Sequence, residues 1–165
     1  DAVAFLGFGG AGLPEHLTKA ELSYADNYVR LEPVLAELVR ERFGTALVPG
    51  STTSSEMLNP GTLSEARQIL ATASGPLLAL CGLASMIPGS SNAALASIQV
   101  PVFIGLGEND IAGDIGNVAA LLTSTGDVTT YVLAEAGHNH SISKNRTDLW
   151  DALGKWVAAL TEQDN

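Results

Sequence analysis

Two β-rich runs joined through a short helical pattern constrain this chain more than anything else in it. Val100 to Leu106 is rich in Val, Ile and Phe, and Asp127 to Leu133 is a second run of β-branched and aromatic residues. Between them, Asp114 to Ser124 carries Ile115, Val118, Ala119, Leu121 and Leu122 at helical spacings. A crossover through a helix brings the second strand back parallel to the first. A longer helix is expected over Ser141 to Leu160, with Leu149, Trp150, Leu153, Trp156, Val157 and Leu160 at its apolar positions. Strand, helix, strand, helix gives an α/β sheet, and reactive groups in such sheets gather beyond the carboxyl ends of the strands.

Those two ends are where chemistry is expected. Asp110 follows the first run across the tight Gly107-Glu108-Asn109 turn, and His138 follows the second after Ala136-Gly137. A carboxylate that accepts from an imidazole fixes its tautomer and stabilises the imidazolium formed when the ring takes a proton, so the pair makes two parts of a nucleophilic triad. Gly137 lets the backbone turn sharply and keeps the ring accessible. An ordinary turn aspartate and an ordinary loop histidine are the structural alternative. Asp114 is a second acid near the same edge, with capping of the following helix as its other role. His140 and His16 are further candidates for contact with substrate, and Glu108 is expected to face solvent.

The rest of the chain reads as follows. Asp1 to Phe8 suits a buried strand that runs into a glycine-rich loop. Leu13 to Leu22 is loop or short helix. Ala25 to Phe43 is helical, broken or kinked at Pro33 and stopped at Gly44. Thr45 to Glu56 is loop, and Thr62 with Glu65 resembles a capping box for a helix over Ala66 to Ala73. Leu77 to Met86 fits a buried helix and a buried strand equally. Ser90 or Ser91 is a cap for a short helix through Leu95. Residues 10–98 thus form a mostly helical insertion, with no internal repeat.

Residues 98–160 resemble the C-terminal segment of an α/β-hydrolase, in which an acid follows the penultimate strand in a G-x-x-D pattern and a histidine follows the last strand in a G-H pattern before a long helix. Here these are Gly107-Glu108-Asn109-Asp110 and Gly137-His138, in the family's order of acid before histidine. The resemblance implies an α/β core portion of about three parallel strands, made of residues 1–9 and 99–165, with residues 10–98 as a helical cap. It also implies His138 as general base and Asp110 as its orienting acid. The family's G-x-S-x-G nucleophile elbow is missing. Gly89-Ser90-Ser91-Asn92-Ala93 imitates it, but only Ala94 to Gln99 separates it from the acid-bearing strand, too short for the helix and strand that should intervene.

The implied function is the C-terminal part of an esterase-like serine hydrolase of small acyl substrates, inactive without an N-terminal segment. The chain opens at Asp1 and runs straight into a strand-like sequence, which reads as the middle of a longer protein. A companion N-terminal polypeptide or self-association is therefore expected to cover the first strand. Other classes that fit are a non-catalytic module for a small ligand, and a dehalogenase or C–C hydrolase relative.

Composition narrows the partners. A net charge of -10 disfavours nucleic acid and anionic membrane surfaces. The uncharged stretch from Gln68 to Gly107 is cut by glycines and prolines into pieces unsuited to a membrane span, and no basic leader precedes an apolar segment. A cytoplasmic location is the expectation. Cys81 alone cannot form an internal disulfide. No His or Cys spacing resembles a metal site, Gly7-x-Gly9-Gly10 is too sparse for a phosphate loop, and no cofactor is expected.

Overall fold

The computed structural model describes residues 1–49, 61–73 and 75–163. In chain order the elements are β1 (Val3–Leu6), α1 (Lys19–Leu22), α2 (Tyr28–Leu31), α3 (Leu35–Phe43), β2 (Leu47–Pro49), α4 (Ser64–Ala73), β3 (Pro76–Leu78), α5 (Ala79–Met86), α6 (Asn92–Ala96), β4 (Val102–Gly107), α7 (Ile115–Ala119), β5 (Val128–Leu133) and α8 (Arg146–Gln163).

The main sheet has the order β1-β4-β5, parallel throughout, with Val3 opposite Val102 and Val102 opposite Val128. All six residues of the central strand β4 are buried. Its alternation sorts the core into two layers. Val102, Ile104 and Leu106 pack with Val118 and Leu122 around α7, and Phe103 packs with Leu133 and Leu149 beneath α8. Gly105 lets α8 approach, because a Cβ there would stand 2.8 Å from Leu149 Cδ1 and 3.0 Å from Leu6 Cδ2. The expected α/β class and three parallel strands are present.

Between β1 and β4 the chain builds a second core from Leu31, Leu35, Leu38, Val39, Ala79, Leu83 and Ile87. Pro33 breaks the expected long helix: α2 ends at Leu31, a 3-10 turn spans Glu32–Val34, and α3 begins at Leu35. Gly44 closes α3 in the left-handed region at φ 66°. The expected loop from Thr45 needs correction at its start, since Leu47–Pro49 pairs antiparallel with Pro76–Leu78. Residues 50–56 of that loop lie outside the described residues. Leu77 to Met86 divides into a strand through Leu78 and a helix from Ala79, but the expected burial needs correction: Leu77 and Leu78 are exposed, and the helix buries only Ala79 and Leu83. Thr62 is drawn into an antiparallel bridge with Ser143, and α4 starts at Ser64. A capping box forms instead at Thr18 and Glu21. The two C-terminal helices are shorter at their starts or ends than expected, with a 3-10 turn at His140–Ile142 preceding α8. Among the described residues no helix is long and apolar enough to cross a membrane.

Candidate active site

The site is built where β4 and β5 end side by side. Beyond β4 the turn closes as Asp110 N–H donates to Gly107 O at 3.1 Å. Beyond β5 the chain bends through Glu135, whose φ of 54° lies in the left-handed region. The two loops are bonded to each other: Glu108 N–H donates to Leu133 O at 2.9 Å, and Asn109 N–H to Ala136 O at 2.8 Å. Gly107 is required at the crossing, because a Cβ would run into the backbone carbonyls of Ala136 and Gly137.

This framework places Asp110 Oδ1 2.8 Å from His138 Nδ1. The same oxygen accepts from the Ala112 amide at 2.9 Å. The Asp110 side chain is fully shielded while that of His138 is 28% exposed, so the acid is internal and the base reaches outward. Burial works to raise the Asp110 pKa, but the bonds from His138 and Ala112 outweigh it and hold the group below the ordinary carboxylate value. An ionised Asp110 accepts Nδ1–H and leaves His138 Nε2 as the proton acceptor. His138 lines a cleft of about 240 Å³ together with Gly7, Phe8, Gly9, Gly10, Ser85 and Ala112.

The other candidates are placed differently. Asp114 is exposed and caps α7 through Gly116 N–H at 2.8 Å, so Asp110 and not Asp114 meets His138. Ser91 stands at the N-cap of α6 but makes no side-chain cap bond; its hydroxyl donates to Gly10 O at 3.3 Å, behind the cleft loop. The His16 ring sits 3.6 Å from the Glu15 carboxylate and is not among the cleft residues. His140 is buried beside the pair. Its pKa lies below the ordinary 6.5, chiefly through burial, opposed by the charge of Asp110. Glu108 is exposed as expected, yet its carboxylate accepts from Glu135 N–H at 2.8 Å. No group of three or more His, Cys, Asp or Glu among the described residues is arranged to hold a metal.

Sequence reasoning missed the floor of the cleft. Gly7, Gly10 and Gly12 all adopt positive φ, at 71°, 60° and 81°. The signal is the glycine cluster after β1: Gly7 carries bare backbone past the two histidines, while Gly10 passes Leu121 and Leu95 and Gly12 crosses the backbone at Met86 and Pro88.

No protein-family model matches the chain, and no curated protein does. Solved structures do. A monoacylglycerol lipase from Paleococcus ferrophilus superposes with a TM-score of 0.66 at 13% identity, covering 96% of this chain and 58% of that one. A lipase in an open form gives 0.55 at 18% identity, covering 96% and 57%. A thermophilic esterase from Thermogutta terrifontis gives 0.53 at 15% identity, covering 96% and 56%. Identities this low speak to fold. The chain has the fold of a C-terminal portion of an α/β-hydrolase, and it spans little more than half the length of these proteins.

Proposed function

We propose that this chain supplies the acid and the base of an esterase-like serine hydrolase acting on small acyl substrates. The observation that carries the reading is the 2.8 Å contact between Asp110 Oδ1 and His138 Nδ1, with the ring opening on a cleft. Asp110 orients the imidazole. His138 Nε2 takes the proton of a serine hydroxyl as its oxygen adds to the ester carbonyl, then delivers that proton to the departing alkoxide; Asp110 stabilises the imidazolium in between. Residues 10–98 act as the cap over this cleft.

The serine and the oxyanion-hole amides come from a segment outside these 165 residues, paired along the free edge of β1. Two observations support such a companion. β4 is the sole sheet partner of β1 among the described residues. Next to β1, an apolar groove of about 530 Å³ lies against Leu153, Trp156 and Val157. In this reading the preceding part of the same fold fills the groove.

Fluorophosphonate labelling separates the outcomes. The 165-residue chain alone is expected to turn over no p-nitrophenyl acetate and to take no label. Joined with its preceding segment, it should yield an active species labelled on a serine of that segment and silenced by His138→Ala. Turnover by the isolated chain, lost in His138→Ala, overturns the division of labour. An assembled species that binds small acyl compounds without labelling argues for a non-catalytic ligand module, and an aspartate in place of the serine argues for a dehalogenase-like reaction. Native mass spectrometry showing a stable dimer of this chain alone would assign the groove to self-association instead.

A further inference from the structure

Two polar atoms of the site are left over once the contacts above are made. Asp110 uses Oδ1 twice, for His138 and for the Ala112 amide, while its Oδ2 is shut off from solvent with no partner among the described residues. His140 Nδ1 is in the same condition, on a residue only 5% exposed. Both imidazoles pack against Gly7: at the point where a Cβ would stand on that glycine, His140 Cε1 lies 3.2 Å away and His138 Cε1 3.5 Å. Burial lowers the His140 pKa, and the charge of Asp110 and a hydrogen bond from the ring to the His138 backbone oppose it.

Buried polar atoms are costly unless bonded, and a wall beside His138 needs no nitrogen. An apolar ring would serve that purpose better. A carboxylate oxygen that only accepts and an imidazole nitrogen that donates in one tautomer are complementary. Resting on the reading of Asp110 and His138 as acid and base, we propose that His140 is a positioning residue. In its Nδ1–H tautomer it donates through one buried water to Asp110 Oδ2, so that each carboxylate oxygen serves one imidazole. Rotation of the carboxylate about its last torsion is then blocked, and Oδ1 stays aimed at His138 Nδ1. A neutral donor does this without adding a cation that would compete with the imidazolium formed on His138.

Imidazole-resolved nitrogen NMR on the 165-residue chain near neutral pH tests the assignment. His140 is expected to carry its proton on Nδ1 and to revert to the Nε2–H form in Asp110→Asn. In His140→Phe, which keeps a ring in place, the His138 Nδ1 proton is expected to exchange with water about tenfold faster, the factor for one lost hydrogen bond. A wild-type His140 protonated on Nε2 overturns the proposal, even if every variant fails to fold. So does His138 exchange that is unchanged in His140→Phe. The same spectrum reads the underlying pair separately: a His138 without a proton on Nδ1 sinks the acid–base reading, whatever the tautomer of His140.

Discussion

The carboxylate of Glu108 accepts the backbone amide of Glu135 at 2.8 Å, tying the loop that carries Asp110 to the loop that carries His138. Glu135 is the non-glycine residue in left-handed conformation at that bend, so the bond holds a strained position as well as a distance. Glu108→Ala should therefore loosen the site more than it loosens the protein. Because the pair is exposed, the stability loss is expected to be about 1 kcal/mol, read from urea midpoints. Amide hydrogen exchange at Glu135 should accelerate while that of Ile104 in β4 does not. Equal acceleration at both would mean that Glu108 acts on global stability alone.

Gly107 is a sharper constraint on the same crossing. A methyl group there meets two backbone carbonyls, of Ala136 and Gly137, which cannot swing aside as a side chain end does. Gly107→Ala is expected to cost about 3 kcal/mol, at the upper end for overpacking, and to break the 2.8 Å contact between Asp110 and His138. Gly105→Ala gives the control: its nearest obstacles are the side-chain ends of Leu149 and Leu6, so a smaller loss in the melting midpoint is expected.

Why Asp110 and His138 were legible is clear from their setting. Each follows a strand by a few residues, and the strands announce themselves by composition, so a local pattern fixes where each side chain emerges. The packing of Gly7 against His138 and His140 was not legible, because it depends on β1 lying beside β4 across nearly a hundred residues of chain. The β2–β3 pair escaped for another reason. Three-residue strands bearing Pro49 and Pro76 have too little length to show a period, and Leu77 and Leu78 remain half exposed, so neither face declares a core. The expected capping box at Thr62 and Glu65 is displaced because α4 starts at Ser64, which puts Leu63 and not Thr62 immediately before the first turn.

Arg42 and Glu21 supply a test away from the cleft. Glu21 is 2% exposed and accepts from Thr18 N–H at 2.7 Å, from the Thr18 hydroxyl at 2.9 Å and from Arg42 Nη1 at 2.9 Å. Burial acts to raise its pKa, and these bonds together with the charge of Arg42 bring it below the ordinary 4.5. Arg42 also donates to His16 O at 2.9 Å, so its loss frees the segment before α1 as well. Arg42→Ala should cost about 2 kcal/mol, since Thr18 still serves the buried carboxylate. Arg42→Ala together with Glu21→Gln should cost less than the sum of the two single changes in the same urea titration.

Acid should weaken this protein in two stages. His140 has a folded pKa held below 6.5 by burial, so the unfolded chain takes the proton more readily. Its contribution is complete above pH 6.5 and declines as the pH falls from there toward the folded value. Asp110 is depressed below its ordinary 3.8 by His138 and Ala112. The stability it contributes is present above pH 3.8 and is lost as the pH falls through the folded value, a range it shares with the depressed Glu21. Urea midpoints measured along a pH series are therefore expected to dip first in the range just below 6.5 and again below 4. His140→Phe should flatten the first dip and leave the second, while Asp110→Asn should shrink the second without abolishing it, because Glu21 still titrates there. A first dip that persists in His140→Phe would assign it to a group other than His140.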